Sequence, residues 1–257
     1  MYFTNCMKRL FLYMVLGIVL ATQNLQAQDG RYAISAAFGP SFPVGRFEQA
    51  GVDLPSKQSA AEPGIAAMVD LTYQLNHSRF GVSLTGGWQQ HRVDGEAIAK
   101  TVTRTSPDEQ VYAGSYSWHI WKLLLGPSYK IPVGDDGKLY FQCGVSGGMM
   151  KTTLPGSWEQ LTFTNGASSF FNNPQTKLAS FCYQTNAGLN LRVTKSMALA
   201  GNLLFFHANP SNMVYTSTGP TDIYVYTGPG PTGTVAKAKI NYPISTLDFM
   251  LGISFRL

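Results

Sequence analysis

The chain is 257 residues long, with 19 Lys and Arg residues against 14 Asp and Glu residues and a formal net charge of +5. Charged residues make up only 13% of it, about half the share usual in a soluble domain. The basic residues are scattered and form no cluster of four or more, so the composition argues against nucleic acid as a partner. The low charge instead suits a protein whose outer surface contacts lipid.

Residues 1–27 are predicted to form a cleaved secretory signal peptide. Lys8 and Arg9 precede an apolar run from Leu10 to Ala21, and a small-residue cleavage site ends at Ala27. The apolar run is too short for a membrane-spanning helix, which needs about 20 residues. Loss of the signal also removes Lys8 and Arg9, which leaves 17 basic against 14 acidic residues and a net charge of +3.

Downstream of the signal peptide, apolar and polar residues alternate in eight segments. Alternation with a period of two residues is typical of a β-strand with one apolar and one polar face. The last segment, for example, places Phe249 and Leu251 on one face and Asp248 and Met250 on the other. In chain order the predicted strands are Arg31 to Gly39, Ile65 to Leu75, Phe80 to Gln90, Tyr116 to Ile131, Leu139 to Met150, Phe181 to Val193, Met197 to Phe206 and Leu247 to Leu257.

The connections between these strands are long and short in strict alternation. If every strand crosses one membrane, all long connections lie at one end and all short turns lie at the other, together with both termini. Outer-membrane barrels have this asymmetry, with short periplasmic turns and long external loops. The sequence therefore predicts an all-β fold for residues 28–257, an eight-stranded antiparallel up-and-down transmembrane β-barrel. The predicted long connections are Pro40 to Pro63, His91 to Ser115, Lys151 to Lys177 and His207 to Asn241.

This pattern resembles the small outer membrane protein beta-barrel domain family of Gram-negative bacteria, the OmpA-like and OmpX-like barrels. The resemblance rests on the export signal, the eight strands, glycine-rich segments such as YFQCGVSGGM and NAGLNLRV, and the amphipathic last strand. It implies outer-membrane lipid as the surroundings, and recognition of the last strand by the barrel-assembly machinery. Members of the family usually end in an aromatic residue, whereas this chain ends in Leu257, with Phe255 two residues earlier.

Four charged residues fall on the predicted inner faces of alternate strands, namely Asp70, Lys122, Arg192 and Asp248. An eight-stranded barrel is just wide enough for its own side chains to fill, so we predict a plugged lumen. Charges enclosed in a low-dielectric space must pair or form hydrogen bonds. We therefore predict a lumenal polar network that joins at least one of the acids to Lys122 or Arg192. Its expected role is structural, and a proton or ion path is the alternative.

The same alternation orients the cysteines and the aromatic residues. Cys143 faces the predicted lipid side and Cys182 the lumen, and side chains that point apart cannot form a disulfide. Tyr116, Trp88 and Trp118 lie near the outer ends of the third and fourth strands. We interpret these three as part of an interfacial aromatic girdle.

One segment, FFHANPSN, suggests a catalytic site because it brings His207 and Ser211 near the outer rim. It is faintly similar to outer-membrane lipid A deacylases, in which a His and a Ser face lipid. In that family the Ser follows the His by two residues, a position that Asn209 occupies here, and Ser211 lies beyond Pro210. No metal-binding or cofactor-binding motif is present. We therefore expect no catalytic residues, no cofactor, no metal and no enzymatic activity.

Three functions remain open for an exported barrel in the outer membrane. The preferred one is a structural or surface-interaction role, in which the long external loops contact an extracellular or surface partner. The alternative is a narrow pore or transporter, which a continuous water path through the lumen would favour. The third is a membrane lipid hydrolase, which would require the His207 side chain to be hydrogen-bonded to a serine on the lipid face.

Overall fold

The chain folds into a closed antiparallel β-barrel of eight strands, as the computed structural model shows. The predicted fold class is therefore confirmed. The strands of the described residues, both in the barrel and outside it, are in chain order β1 (Tyr32–Pro43), β2 (Gly64–Gln74), β3 (Phe80–His91), β4 (Gln110–Ser115), β5 (Trp118–Val133), β6 (Leu139–Leu154), β7 (Ser157–Thr162), β8 (Ser168–Asn173), β9 (Thr176–Arg192), β10 (Met197–Ala208), β11 (Ser211–Thr218), β12 (Ile223–Tyr226), β13 (Val235–Asn241) and β14 (Ile244–Arg256).

The structure describes most of the chain after the predicted signal peptide, which itself lies outside the described residues. The described residues are 31–49, 60–75, 78–96, 110–115, 117–134, 137–155, 157–162, 168–173, 176–218, 223–226 and 235–257. Among them, no helix combines the length and the hydropathy needed to cross a membrane.

The barrel consists of β1, β2, β3, β5, β6, β9, β10 and β14, and each of these strands pairs with its two neighbours along the barrel wall. The wall closes where β1 pairs with β14, with Ile34 opposite Phe255 and Phe38 opposite Leu251. Closure leaves no strand edge, so backbone N–H and C=O groups that would otherwise meet hydrocarbon are hydrogen-bonded.

Large apolar side chains cover the outside of the barrel. Leu251 on β14 is 78% exposed, and Phe181 on β9, two strands further along the wall, is 66% exposed. A soluble monomer rarely exposes a continuous apolar belt of this kind, whereas a membrane barrel requires one. The other residues of this belt include Phe38, Leu71, Leu84, Trp121, Leu123, Leu125, Leu189, Leu191, Leu199, Leu203, Phe249 and Ile253. The belt identifies lipid as the medium around the barrel.

The two ends of the barrel differ as predicted. Residues 75–79, 134–138 and 193–196 make three short connections at the end that also holds the start of β1 and the end of β14, and we call it the short-turn end. The four long connections leave from the other end, which we call the long-connection end. Several barrel strands also extend further in this direction than predicted, as in β6, which continues to Leu154.

The four long connections were predicted as long loops, and the structure adds strands within three of them. Among the described residues these connections contain six strands in two three-stranded sheets, one in the order β4-β7-β8 and the other in the order β12-β11-β13. The β4 strand comes from the connection after β3 and pairs with β7 from the connection after β6. Pairing between strands this far apart in the chain leaves no signal in the local alternation of either one.

Candidate functional site

A buried ion pair crosses the interior of the barrel. The Nζ atom of Lys122 on β5 lies 3.7 Å from Oδ2 of Asp248 on β14, and the two side chains are 2% and 0% exposed. Both residues occupy inner positions because the alternation of their strands turns the neighbouring Trp121, Leu123 and Phe249 toward lipid. The inward direction of both side chains therefore follows from the period-two pattern of β5 and β14.

Asp248 carries two hydrogen bonds in addition to the ion pair. Ser41 Oγ donates to its Oδ1 atom, and Gln89 Nε2 donates to its Oδ2 atom at 2.6 Å. Gln89 Nε2 also lies 3.0 Å from Thr246 Oγ1. The Nε2 atom of His91 is 3.3 Å from Ser41 Oγ, and its Nδ1 atom is 3.1 Å from the carbonyl oxygen of Glu62. These contacts extend the network from β14 to β1, β3 and the first long connection.

The Lys122 ammonium is stabilised by charge rather than by hydrogen bonds. The distance from Lys122 Nζ to Asp248 Oδ2 exceeds the length of a hydrogen bond, and Nζ has no hydrogen-bond partner among the described residues. The ring of Phe206 lies 4.4 Å from Nζ and adds a cation–π contact. Gly87 makes room for the lysine, because a Cβ atom there would lie 2.7 Å from Lys122 Cε.

The structure brings two of the four predicted network residues together and separates the other two. Lys122 meets Asp248, whereas Asp70 accepts hydrogen bonds from Thr72 Oγ1 and Thr85 Oγ1, each at 2.6 Å. Arg192 lies at the short-turn end, where it lines a cavity. Hydroxyl groups, rather than a cation, therefore satisfy the carboxylate of Asp70.

Four polar side chains of the network were not predicted as its members, namely Ser41, Gln89, His91 and Thr246. All four are fully buried. Gln89 lies on the inner face of the predicted third strand, and His91 continues that face one residue beyond its predicted end. Ser41 was harder to find because Pro40 interrupts the pattern of β1.

An apolar cluster fills the lumen toward the long-connection end. Phe47, in the 3-10 turn that follows β1, is fully buried, and its ring centroid is 5.4 Å from that of Trp118 and 5.3 Å from that of His91. This position corrects the assignment of Trp118 to an interfacial girdle, since its side chain is 0% exposed and points inward. The members of this outer apolar cluster are Phe47, Ala61, Trp118, Ile120, Leu124, Met150, Leu178, Cys182, Phe206, Ala208, Tyr242 and Ile244.

Tyr242 and Cys182 also belong to this cluster. Burial raises the pKa of Tyr242, which lies between β13 and β14, so its hydroxyl carries no charge at neutral pH. Cys182 is buried in the cluster, and both it and Cys143 are free thiols.

The opposite half of the interior contains open space. A cavity of about 490 Å³ lies at the short-turn end, and a second one of about 30 Å³ lies deeper in the barrel beside Asp70 and Gln184. Among the described residues, no group of three or more His, Cys, Asp and Glu side chains could hold a metal ion.

A histidine and a serine meet on the outer surface of the wall. His207 on β10 pairs directly across from Ser245 on β14, and its Nδ1 atom lies 2.8 Å from Ser245 Oγ. The alternation of β10 turns both side chains toward lipid, where the ring of Tyr183 lies 5.2 Å from that of His207. The partner of His207 is thus Ser245 and not Ser211. No carboxylate contacts His207 among the side chains that the structure describes.

The fold has counterparts among solved structures, although no family model and no curated protein matches the chain. Outer membrane protein OprG from Pseudomonas aeruginosa is 12% identical with a TM-score of 0.47, and the match covers 88% of this chain and 96% of that one. Neisserial surface protein A is 10% identical with a TM-score of 0.44, covering 89% and 98%. Ail, the attachment invasion locus protein of Yersinia pestis, is 13% identical with a TM-score of 0.38, covering 88% and 97%.

These three proteins are eight-stranded outer-membrane barrels. This chain likewise folds as a closed antiparallel β-barrel of eight strands. At such low identities the similarity concerns the fold alone, and its own closed wall and apolar belt are what indicate a membrane protein. The charged layer, the cavities and the His207–Ser245 pair are properties of this chain.

Proposed function

We propose that this barrel is a structural or surface-interaction protein of the outer membrane, with a lumen closed to solutes and an external surface that contacts other molecules. The observation that carries the proposal is the pairing of β4 with β7, which joins two separate long connections into one sheet. A second sheet, β12-β11-β13, occupies the last long connection. Paired strands fix the backbone of these connections. A binding surface on a fixed backbone loses less conformational entropy when it binds a partner.

A shortened chain tests the surface role. Residues 211–241 are replaced by a short Gly-Ser turn, which removes β11, β12 and β13 and leaves every barrel strand in place. We expect the variant to fold, seen as heat-modifiable gel migration, and to lose cross-linking to the surface partners that the intact chain captures on whole cells. The matched control is a Gly-Ser replacement of residues 194–196 at the short-turn end, which should keep the cross-links. Equal cross-linking by all three chains would contradict the proposal.

The closed lumen is supported by the outer apolar cluster and by the charged layer beneath it. Phe47, Trp118 and Phe206 are fully buried across the same part of the interior, and the Lys122–Asp248 pair lies next to them. Single-channel recording in planar bilayers distinguishes this state from the narrow pore or transporter. We expect no unitary current from the intact chain, and steady conductance would favour the pore.

The remaining parts of the proposal concern export and assembly. Residues 1–27 direct export and are removed, and the barrel-assembly machinery recognises β14. Amino-terminal sequencing of the protein from outer-membrane fractions tests the first point, with a start at Gln28 as the expected result. The proposal assigns no enzymatic activity to the barrel.

A second candidate function, hydrolysis of membrane lipid, is favoured by the hydrogen bond between His207 and Ser245. A serine on the lipid side with a histidine base could attack an acyl ester of an outer-leaflet lipid. A full catalytic triad also needs a group that orients the histidine, and Tyr183 stacks near His207 without supplying a carboxylate. The arrangement therefore supports this function less well than the surface role.

Reconstituted vesicles that contain lipopolysaccharide and phospholipid test the hydrolase. Release of free fatty acid that is abolished by Ser245→Ala and retained in Ser211→Ala would establish hydrolysis at this pair. We expect no release from the intact chain, because no described carboxylate positions His207.

A further inference from the structure

The cavity at the short-turn end is lined by six cationic side chains. It has a volume of about 490 Å³, within the range of roughly 300–1,000 Å³ typical of small-molecule pockets. None of the described residues that line it is an Asp or a Glu. We call this cavity the basic vestibule and define it by Arg31, Arg79, Lys130, Arg192, Lys195 and Arg256.

The barrel wall itself directs these cations toward a common space. Lys130 shares the inner phase of β5 with Lys122, and Arg256 shares the inner phase of β14 with Asp248. Arg192 is the last residue of β9 and reaches the vestibule by the same alternation. Hydrogen-bonded neighbours hold each strand in register, so the backbone positions of these three residues are fixed relative to one another.

The other described side chains that line the vestibule are uncharged. The Tyr140 ring lies 5.7 Å from Lys130 Nζ, and Gln74 Nε2 donates to the carbonyl oxygen of Ser78 at 2.7 Å. The Asp70 carboxylate, further inside, attracts Lys130 and accepts two threonine hydroxyl groups. Among the described residues, positive charges thus outnumber negative ones in this concave, partly enclosed space.

We propose that the basic vestibule binds a small, soluble, multivalent oxyanion that carries phosphate or carboxylate groups and enters from the short-turn side. Guanidinium groups bind both kinds of oxyanion through paired hydrogen bonds. A concave site with charges of one sign also focuses its potential and concentrates counter-ions. An anion with several charges contacts several of these cations at once, which a monovalent anion cannot do. This inference is independent of the external sheets.

Isothermal titration calorimetry of the full chain, folded in uncharged maltoside micelles at low ionic strength, tests the proposal. Pyrophosphate and citrate are the probes, and orthophosphate is the reference. We expect at least one probe to bind about tenfold more tightly than orthophosphate, with affinity that falls as salt screens the charges. Binding of both probes no tighter than that of orthophosphate would overturn the proposal.

Charge-removing variants locate the site. The double variant Lys130→Gln with Arg192→Gln should weaken binding of the probe at least tenfold. Arg46→Gln is the matched control, because it removes one exposed cation at the long-connection end, and it should leave binding unchanged. Equal loss in the two variants would overturn the proposal, since diffuse net charge would then explain the binding.

Two further measurements keep the result decisive. Heat-modifiable gel migration verifies folding. If the double variant does not fold, Arg79→Gln with Lys195→Gln removes two exposed turn cations instead, with the same tenfold loss of binding expected.

A titration with short-chain phosphatidylglycerol separates a lipid headgroup from a soluble ligand. Binding of this lipid without binding of pyrophosphate or citrate would overturn the assignment to a soluble anion.

Discussion

The two halves of the barrel interior solve the problem of enclosed charge in opposite ways. Toward the long-connection end, Lys122 is paired with Asp248, and apolar side chains pack nearby. Toward the short-turn end, six cations line an open cavity, and no acid occurs among its described lining residues. The strand alternation is the same in both halves, so the residue types at the inner positions decide whether the space is filled or open. A buried charge needs a partner within the protein, while a charge beside an open cavity can be hydrated by water or can contact a ligand.

The largest effect should come from breaking the ion pair in the filled half. Asp248→Leu leaves Lys122 buried with only the Phe206 ring beside it, and we expect the free energy of unfolding to fall by about 3 to 5 kcal/mol. Urea-induced unfolding in lipid vesicles measures this loss. The double variant Asp248→Leu with Lys122→Met should recover most of it. Equal instability of the single and double variants would show that the ion pair is not what the filled half depends on.

A smaller loss is expected from emptying the outer apolar cluster. Phe47→Ala removes a fully buried ring beside Trp118 and should cost about 3 kcal/mol in the same unfolding experiment. Phe42→Ala is the matched control, because this nearby ring is 39% exposed on the lipid side. It should cost less than half as much. A similar cost for both would place Phe47 outside the packed interior.

The apolar belt can be tested at the middle of β14. Leu251→Arg places a cation on the exposed lipid face, and we expect a loss of about 2 to 3 kcal/mol in vesicles, where hydrocarbon surrounds this position. Gln49→Arg, at an exposed position outside the barrel wall, should change stability by less than about 0.5 kcal/mol. Unchanged stability of the Leu251→Arg variant would mean that water, not lipid, surrounds the barrel.

The mildest prediction concerns the space beside Lys122. Gly87→Ala puts a methyl group against the lysine side chain, which must move, and we expect a cost of about 1 kcal/mol that disappears when Lys122→Ala, which lacks the contacting atoms, is also present. Gly86→Ala is a close control, since a Cβ atom there meets nothing within 4 Å. Thermal unfolding of the four variants measures the coupling. Additive effects of Gly87→Ala and Lys122→Ala would contradict the contact.

Much of the wall could be predicted from the sequence because alternation is a local property. It separated Leu251 and Phe249, which face lipid, from Asp248, which faces inward. It could not say which inward acid would meet Lys122. Asp70 and Asp248 have the same orientation, and only the stagger of the closed barrel sets Asp248 at the height of the lysine. That stagger depends on how all the strands pair, including β1 with β14, which lie at opposite ends of the chain.

The inward turn of the first long connection escaped prediction for a different reason. Phe47 belongs to no strand, and a single aromatic residue in a segment rich in Gly and Pro carries no periodic signal. Its burial depends on space that Trp118 and His91 leave inside the mouth of the barrel. The pairing of β4 with β7 is a similar case, since the two strands come from different connections.

The pairing of β4 with β7 has a consequence for how the exposed end of the molecule can change over time. Because two connections share one set of backbone hydrogen bonds, an insertion or deletion in either would shift the register of the other. Insertions and deletions in these two connections should therefore occur together, while the last connection, with its separate sheet, can change alone.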